Sequence, residues 1–222
     1  MFSSEILTGQ TQKHLVEFHG SLVNWAIVSD LQSMTIAAKN AGFDLAIASS
    51  FRDFDRQLMI WQKKYKGINP VFDINDEPVE LNGLSDLAKC QAIMLFSALP
   101  GASRHHWGTD FDFYDKAAIT DKYQIRLQQD EYSEGGRFAA LTTWLDDNMA
   151  EFGFYKPYDE YRGGIAAEPW HISHKSTADM MLKKFSVKKL EKVLNQYDFA
   201  GKEAIVANLP ELYSQFVINI NA

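Results

Sequence analysis

Two short stretches carry groups whose types and spacing suit hydrolytic chemistry: Ser103-Arg104-His105-His106-Trp107-Gly108-Thr109-Asp110-Phe111-Asp112 and Glu168-Pro169-Trp170-His171. Together they offer imidazoles at His105 and His171, a carboxylate at Asp112 and a separate glutamate, Glu168. Two nitrogens and one oxygen make a three-ligand zinc set, with a fourth position free for water and a carboxylate at hand to deprotonate it. Zinc bonds of about 2.0–2.2 Å require the three groups to converge on one point. On a straight strand His105 and Asp112 would lie roughly 23 Å apart. The chain must therefore turn between them, and Gly108 is the natural place. Glu168 and His171 would face opposite ways on an ideal strand, so a kink is expected, marked by Pro169.

The residue types alone leave a structural reading open for each of these groups. His14, His19 and His174 are read as structural. His106 is read as a supporting or surface residue beside His105. Asp110 shares a strand face with Asp112. It can be an acceptor for a ligand histidine, a contact for a substrate amine, or an alternative metal ligand. Trp107 and Trp170 read as packing around the site. Tyr155, Tyr158 and Tyr161 read either as a rim over it or as surface aromatics. Cys90 reads as buried and inert.

The elements that must position these groups can be sketched from periodicity. Residues 1–20 are weakly patterned and expected to be irregular. From Ser21 the pattern is helical, with Ile27, Leu31, Met34 and Ala38 on one face and Gly42 as a stop. Phe43 to Ser49 reads as a buried strand. Asp53 caps a helix with Phe54, Leu58, Trp61 and Tyr65 in one stripe. Residues 66–83 form a loop. Ser85 opens a third helix that closes before Pro100. Residues 109–114 form a strand with Asp110, Asp112 and Tyr114 on one face and Phe111 and Phe113 on the other. A helix follows through Phe138, Leu141, Leu145, Met149 and Phe152. Residues 155–167 form a loop, 170–174 a strand, and 176–195 helices. The tail from Tyr213 to Ile220 reads as β-prone. This mixture, without βαβ repetition, predicts an α+β fold with a small, largely antiparallel sheet flanked by helices. A single domain over 1–222 is expected, with a core of about 21–175 and a C-terminal extension of about 176–222.

Bulk composition narrows the partners. A net charge of -7, from 29 acidic and 22 basic side chains, argues against a nucleic-acid partner. Cys90 is the one cysteine, so no internal disulfide forms. No apolar run approaches the ~20 residues needed to span a bilayer. Met1 to Glu17 lacks the pattern of a secretory signal, so a cytoplasmic location is expected. Oligomeric state is not legible.

The same residues carry a family resemblance. Ser103, His105, Gly108 and Asp112 match in register the S-x-H-x-x-G-x-A-x-D signature of the zinc D-alanyl-D-alanine carboxypeptidases and dipeptidases, the VanY-like and VanX-like enzymes. Glu168-Pro169-Trp170-His171 matches their E-x-W-H. Ser49-Ser50-Phe51-Arg52, with Gln57 five residues on, resembles their S-x-(aromatic)-R…Q segment. The three motifs occur in the family's order, and Asp110 departs from it where a small residue is usual.

The resemblance implies the hedgehog/DD-peptidase fold, with Zn²⁺ held by His105, Asp112 and His171. Glu168 is implied as the base and Arg52 as the stabiliser of the carbonyl oxyanion. Ser103 and Gln57 are implied to hold the substrate end. The implied substrate is a peptidoglycan-type peptide ending in D-alanyl-D-alanine. Related specificities are an LD-carboxypeptidase, a D-Ala-D-Ala dipeptidase or an L-alanyl-D-glutamate endopeptidase. A rival of another class is a zinc-containing binding domain without catalysis.

Overall fold

The computed structural model describes residues 2–221. In chain order the elements are α1 (Ser4–Leu7), β1 (Leu15–Phe18), β2 (Ser21–Asn24), α2 (Val28–Asn40), β3 (Leu45–Ser49), α3 (Phe54–Tyr65), α4 (Asp86–Met94) and β4 (Asp110–Asp115). Then come α5 (Gln129–Tyr132), α6 (Ala139–Asn148), β5 (Phe154–Tyr155), β6 (His171–His174), α7 (Lys175–Leu182), α8 (Val187–Leu194), α9 (Lys202–Ala207) and α10 (Leu209–Phe216). β1 and β2 form a hairpin. The main sheet has the order β3-β4-β6-β5, with every neighbouring pair antiparallel. The fold is α+β, with small antiparallel sheets flanked by helices.

Local chemistry explains the elements nearest the site. Asp53 accepts from the Arg56 amide at 2.7 Å and so opens α3, whose Phe54 and Trp61 are buried. Ser85 caps α4 in the same way. Along β4, Phe111 and Phe113 are fully buried on one face, and Ile172 of β6 joins them in a cluster with α2 and α6. A second cluster gathers Trp61 of α3, Ile93 and Met94 of α4, and Met181, Leu190 and Leu212 of the C-terminal helices. The face of β4 and β6 opposite the phenylalanines carries Asp110, Asp112, His171 and Ser173, paired across the strands as Asp112 with His171 and Asp110 with Ser173.

Three regions differ from the sequence expectation. The sequence expectation of an irregular 1–20 fails over residues 2–20, the part that is described: Ser3 caps α1, and the Trp107 indole donates to the Leu7 carbonyl at 3.0 Å. Ser21–Asn24 is the second strand of the hairpin, and the helix begins only at Val28. The tail is helical over Leu209–Phe216. There Leu209, Leu212, Tyr213 and Phe216 recur at helical spacing and all are buried. That period outweighs the strand preference of aromatic and branched residues. Among the described residues, no helix is long and apolar enough to cross a membrane.

The burial of α10 sets a measurable expectation. Leu212→Ala should cost about 2–5 kcal/mol in denaturant unfolding. Ile218→Ala, at a position 47% exposed, should move stability by less than about 0.5 kcal/mol. Equal effects would contradict this packing of the tail.

Candidate active site

The turn that joins the two halves of the first motif is a 3₁₀ segment, Arg104–Trp107, ended by Gly108 in the left-handed region at φ 65°. A Cβ there would sit 2.4 Å from Leu15 Cδ2 and 2.8 Å from the Asn24 amide nitrogen, so both the turn and the hairpin beneath it require glycine. The Glu168–His171 segment is a tight turn, not a kinked strand: the His171 amide donates to the Glu168 carbonyl at 3.0 Å. This brings Glu168 Oε2 to 3.4 Å from His171 Nδ1.

His105, Asp112 and His171 each present one donor atom within 4.8 Å of the other two, and all three side chains are buried. The free nitrogen on each imidazole is set by what the other nitrogen does. His105 Nδ1 donates to the Ser50 carbonyl at 2.9 Å, leaving Nε2 as a lone pair 3.5 Å from Asp112 Oδ2. His171 Nε2 donates to Asp110 Oδ1 at 3.1 Å, leaving Nδ1 directed at Asp112 Oδ1, 3.2 Å away. Asp112 Oδ1 and His171 Nδ1 are buried without hydrogen-bond partners. Two nitrogens and a carboxylate converging in a desolvated corner, two of these three atoms without a hydrogen-bond partner, fit a zinc ion.

Behind His171 lies a buried charge network. Arg104 Nε binds Asp110 Oδ1 at 2.6 Å, and its NH2 donates to Ser173 Oγ at 2.7 Å and to Tyr155 OH at 3.2 Å. The Arg104 guanidinium also lies over the Trp107 ring at 5.0 Å. Asp110 Oδ2 accepts from Thr109 Oγ1 at 2.6 Å. Burial alone would raise the Asp110 pKa. The Arg104 cation outweighs it, helped by His171 and Thr109, and holds the carboxyl well below its usual range. Of the three roles open to Asp110, the geometry selects acceptor for His171.

Burial pushes the His105 pKa down to about 3, so that ring is neutral. Burial would do the same to His171. The hydrogen bond to Asp110 and the negative charge of both nearby carboxylates reverse the effect and raise it to about 9. Burial, with Asp112 adding to it, raises Glu168 to about 7.

These groups open onto a cavity of about 520 Å³. Arg52, Ser103, Glu168 and Trp170 line it, as do His105, Asp112 and His171. Gln57 does not. It is fully buried, accepting from Arg52 NH1 at 2.8 Å and donating to the Ala98 carbonyl at 2.7 Å, so it holds Arg52 and leaves the substrate end to other groups. His106 is buried and has no surface role: the Gly101 amide donates to its Nε2, and its Nδ1 donates to the Arg52 carbonyl at 2.5 Å. Trp107 is packing, whereas Trp170 both packs on Tyr132 and lines the cavity. Tyr158 lies against His171 with ring centroids 5.0 Å apart, while Tyr161 is exposed.

Sequence reasoning missed the far wall. Asp76 of the 66–83 loop accepts from the Gln129 amide, tying that loop to residues 119–131. Buried Glu131 fixes the latter by accepting from Tyr123 OH and the Arg126 and Gln128 amides. Asp76 and Leu127, both on this wall, hold positive φ. Lys64 was missed as well, because a lysine beside the apolar stripe of α3 reads as solvent-facing.

Known proteins resemble this chain in sequence and in fold. The family model described as "VanY: D-alanyl-D-alanine carboxypeptidase" matches residues 20–177. A Haemophilus influenzae protein described as uncharacterized is 43% identical over 100 residues, covering 43% of this chain and 68% of that one. The putative carboxypeptidase YodJ of Bacillus subtilis is 28% identical over 147 residues, 65% of this chain but 43% of that protein. Among solved structures, a vancomycin-resistance D,D-pentapeptidase VanY variant in complex with Zn(II) superposes with a TM-score of 0.52 at 20% identity, covering 81% of this chain and 92% of that one. VanYB in complex with D-alanine-D-alanine gives 0.51 at 22% identity over 83% and 89% of the two chains. The LdcB LD-carboxypeptidase gives 0.53 at 21% identity over 81% and 78%. These likenesses establish the fold.

Removing the Asp110 carboxylate strands the buried Arg104 cation. Asp110→Ala should therefore cost about 3–5 kcal/mol. Because the folded pKa of Asp110 is depressed, its stabilisation is present above the unfolded value of about 3.9 and lost as pH falls below it. Thermal or urea unfolding from pH 7 to pH 3 should show a shallower acid loss in the variant; an unchanged slope would contradict the charge network.

Proposed function

The chain belongs to the VanY family of D-alanyl-D-alanine carboxypeptidases, and on that premise we propose that it is a zinc-dependent carboxypeptidase removing the C-terminal D-amino acid of peptidoglycan-type peptides, with D-alanyl-D-alanine ends as the substrate. The observation that carries this reading is the convergence of one ligand atom each from His105, Asp112 and His171, beside Glu168, in the lining of one cavity. Zinc, when bound, polarises a carbonyl and lowers the pKa of water toward ~7.

The chain's own groups do the rest. Glu168 is the base that takes a proton from the attacking water and passes it to the departing amine. A pKa near 7 suits both directions of transfer. Arg52 stabilises the negative charge that develops on the scissile carbonyl oxygen. Its guanidinium is anchored by Gln57 Oε1 and Ser49 Oγ, and its backbone by the His105 carbonyl and the His106 ring. Ser103 lines the same cavity and offers a hydroxyl to the substrate. A purely structural zinc needs neither Glu168 nor Arg52, which favours hydrolysis over a binding role. The family description favours DD over LD specificity.

Glu168→Gln should retain zinc, measured by metal analysis, yet lower peptide hydrolysis by about 10²–10⁴-fold. Hydrolysis at the normal rate would remove Glu168 from the mechanism. Chelator should abolish turnover and added zinc restore it.

Zinc binding should also release a proton. In the metal-free protein His171 holds one up to about pH 9, while Asp112 is held below its usual range by His105 and His171 against the opposing effect of burial. Zinc affinity should therefore weaken as pH falls from 9 toward 6, by about tenfold per pH unit. Titration calorimetry in buffers of different ionisation enthalpy should register one proton leaving. A pH-independent affinity would remove His171 from the ligand set.

A further inference from the structure

Lys64 is a cavity residue that the proposed reaction does not use. It projects from α3 into the cavity that holds Arg52 and Glu168, and its side chain is partly buried. Among the described residues, no carboxylate lies within ion-pair distance of it. The other cations around the cavity have partners, although Arg104 NH1 itself has none. Arg104 is bound to Asp110, and Arg126 to Gln128 and Asp130. Arg52 is tied to Gln57 and Ser49 and faces the scissile carbonyl in the proposed reaction.

A partly buried ammonium without a counter-ion is unfavourable. Its desolvation lowers the Lys64 pKa to about 8, against the opposing pull of Glu168. Such a cation in a ligand cavity is satisfied by an anion that arrives with the ligand. In the proposed reaction Arg52 serves the scissile carbonyl and the Ser103 hydroxyl serves the terminal carboxylate, so the anion assigned to Lys64 is a different one.

We propose that Lys64 is a specificity residue that pairs with a second carboxylate, carried by a residue on the N-terminal side of the scissile bond. This rests on the carboxypeptidase reading and narrows it to peptides that bear an extra acidic group near the cleaved end.

Two acetylated peptides ending in D-alanyl-D-alanine isolate that group: one with L-lysine before the dipeptide, one with meso-diaminopimelate, which differs by a single carboxylate on the side-chain end. The zinc-loaded wild-type enzyme should favour the diaminopimelate peptide in kcat/KM by about tenfold. Lys64→Met should erase that preference while leaving the lysine peptide within about twofold, and Lys64→Arg should keep it. Equal losses on both peptides would show that Lys64 reads the terminal carboxylate or supports the fold, and an intact preference in Lys64→Met would place the recognition elsewhere. Either result overturns the proposal. Binding of the same peptides to zinc-loaded Glu168→Gln, with and without Lys64→Met, separates the two readings. If wild type cleaves neither peptide, the hydrolase reading falls, and the affinity difference still decides the role of Lys64.

Discussion

Arg104 and Asp110 form a contact on which most of the site depends. Asp110 is fully buried and Arg104 nearly so, and separating two such charges from solvent is costly unless they are well paired. Asp110 meets that requirement with three donors: the Arg104 guanidinium, the Thr109 hydroxyl and the His171 ring. Arg104 in turn reaches Ser173 on β6 and Tyr155 on β5. One ion pair thereby ties the 3₁₀ turn of the first motif to three adjacent strands. It also decides which nitrogen of His171 faces Asp112, because a ring that donates from Nε2 keeps its lone pair on Nδ1.

The register of β4 against β6 supplies the rest of the geometry. Asp112 stands directly across from His171, so two of the three converging groups are neighbours by strand pairing alone. The third, His105, reaches the same point because Gly108 lets the chain reverse in a space already filled by Leu15 and Asn24. The phenylalanines on the reverse of β4 lock that register, since a slip of one residue would move the carboxylates into the apolar cluster. Core packing and site geometry are thus two faces of one strand.

What could be read from the chain follows from where the information is local. The alternation Asp110-Phe111-Asp112-Phe113 announces a strand with a polar and an apolar face, and the structure keeps both. Asp53 and Ser85 announce helix starts through their side-chain caps. The position of Gln57 was not legible, because its partners, Arg52 and the Ala98 carbonyl, come together only through tertiary packing. The choice among roles for Asp110 needed the location of Arg104, which strand alternation does not give. Lys64 shows the same limit: it stands three residues after buried Trp61 on α3, but a lysine there does not announce that the helix edge borders a cavity. The tail shows a competition between two local signals, in which the helical spacing of Leu209, Leu212, Tyr213 and Phe216 prevailed over their strand-prone chemistry.

The segment that carries Tyr158 and leads to Glu168 is gripped from the far end of the chain. Gln215 donates to the Gly163 carbonyl, Asn219 to that of Arg162 and Asn221 to that of Pro157. Gly164 lies so close to the Gln215 carbonyl that a Cβ there would approach it to 2.0 Å. The order of synthesis therefore matters. Until residues 209–221 have been made, the Glu168 loop is held only by nearer contacts, such as the Ala166 amide on the Leu95 carbonyl. All of His105, Asp112, Glu168 and His171 precede these supports in the chain, so the loop before Glu168 is the part of the site that waits longest for its neighbours.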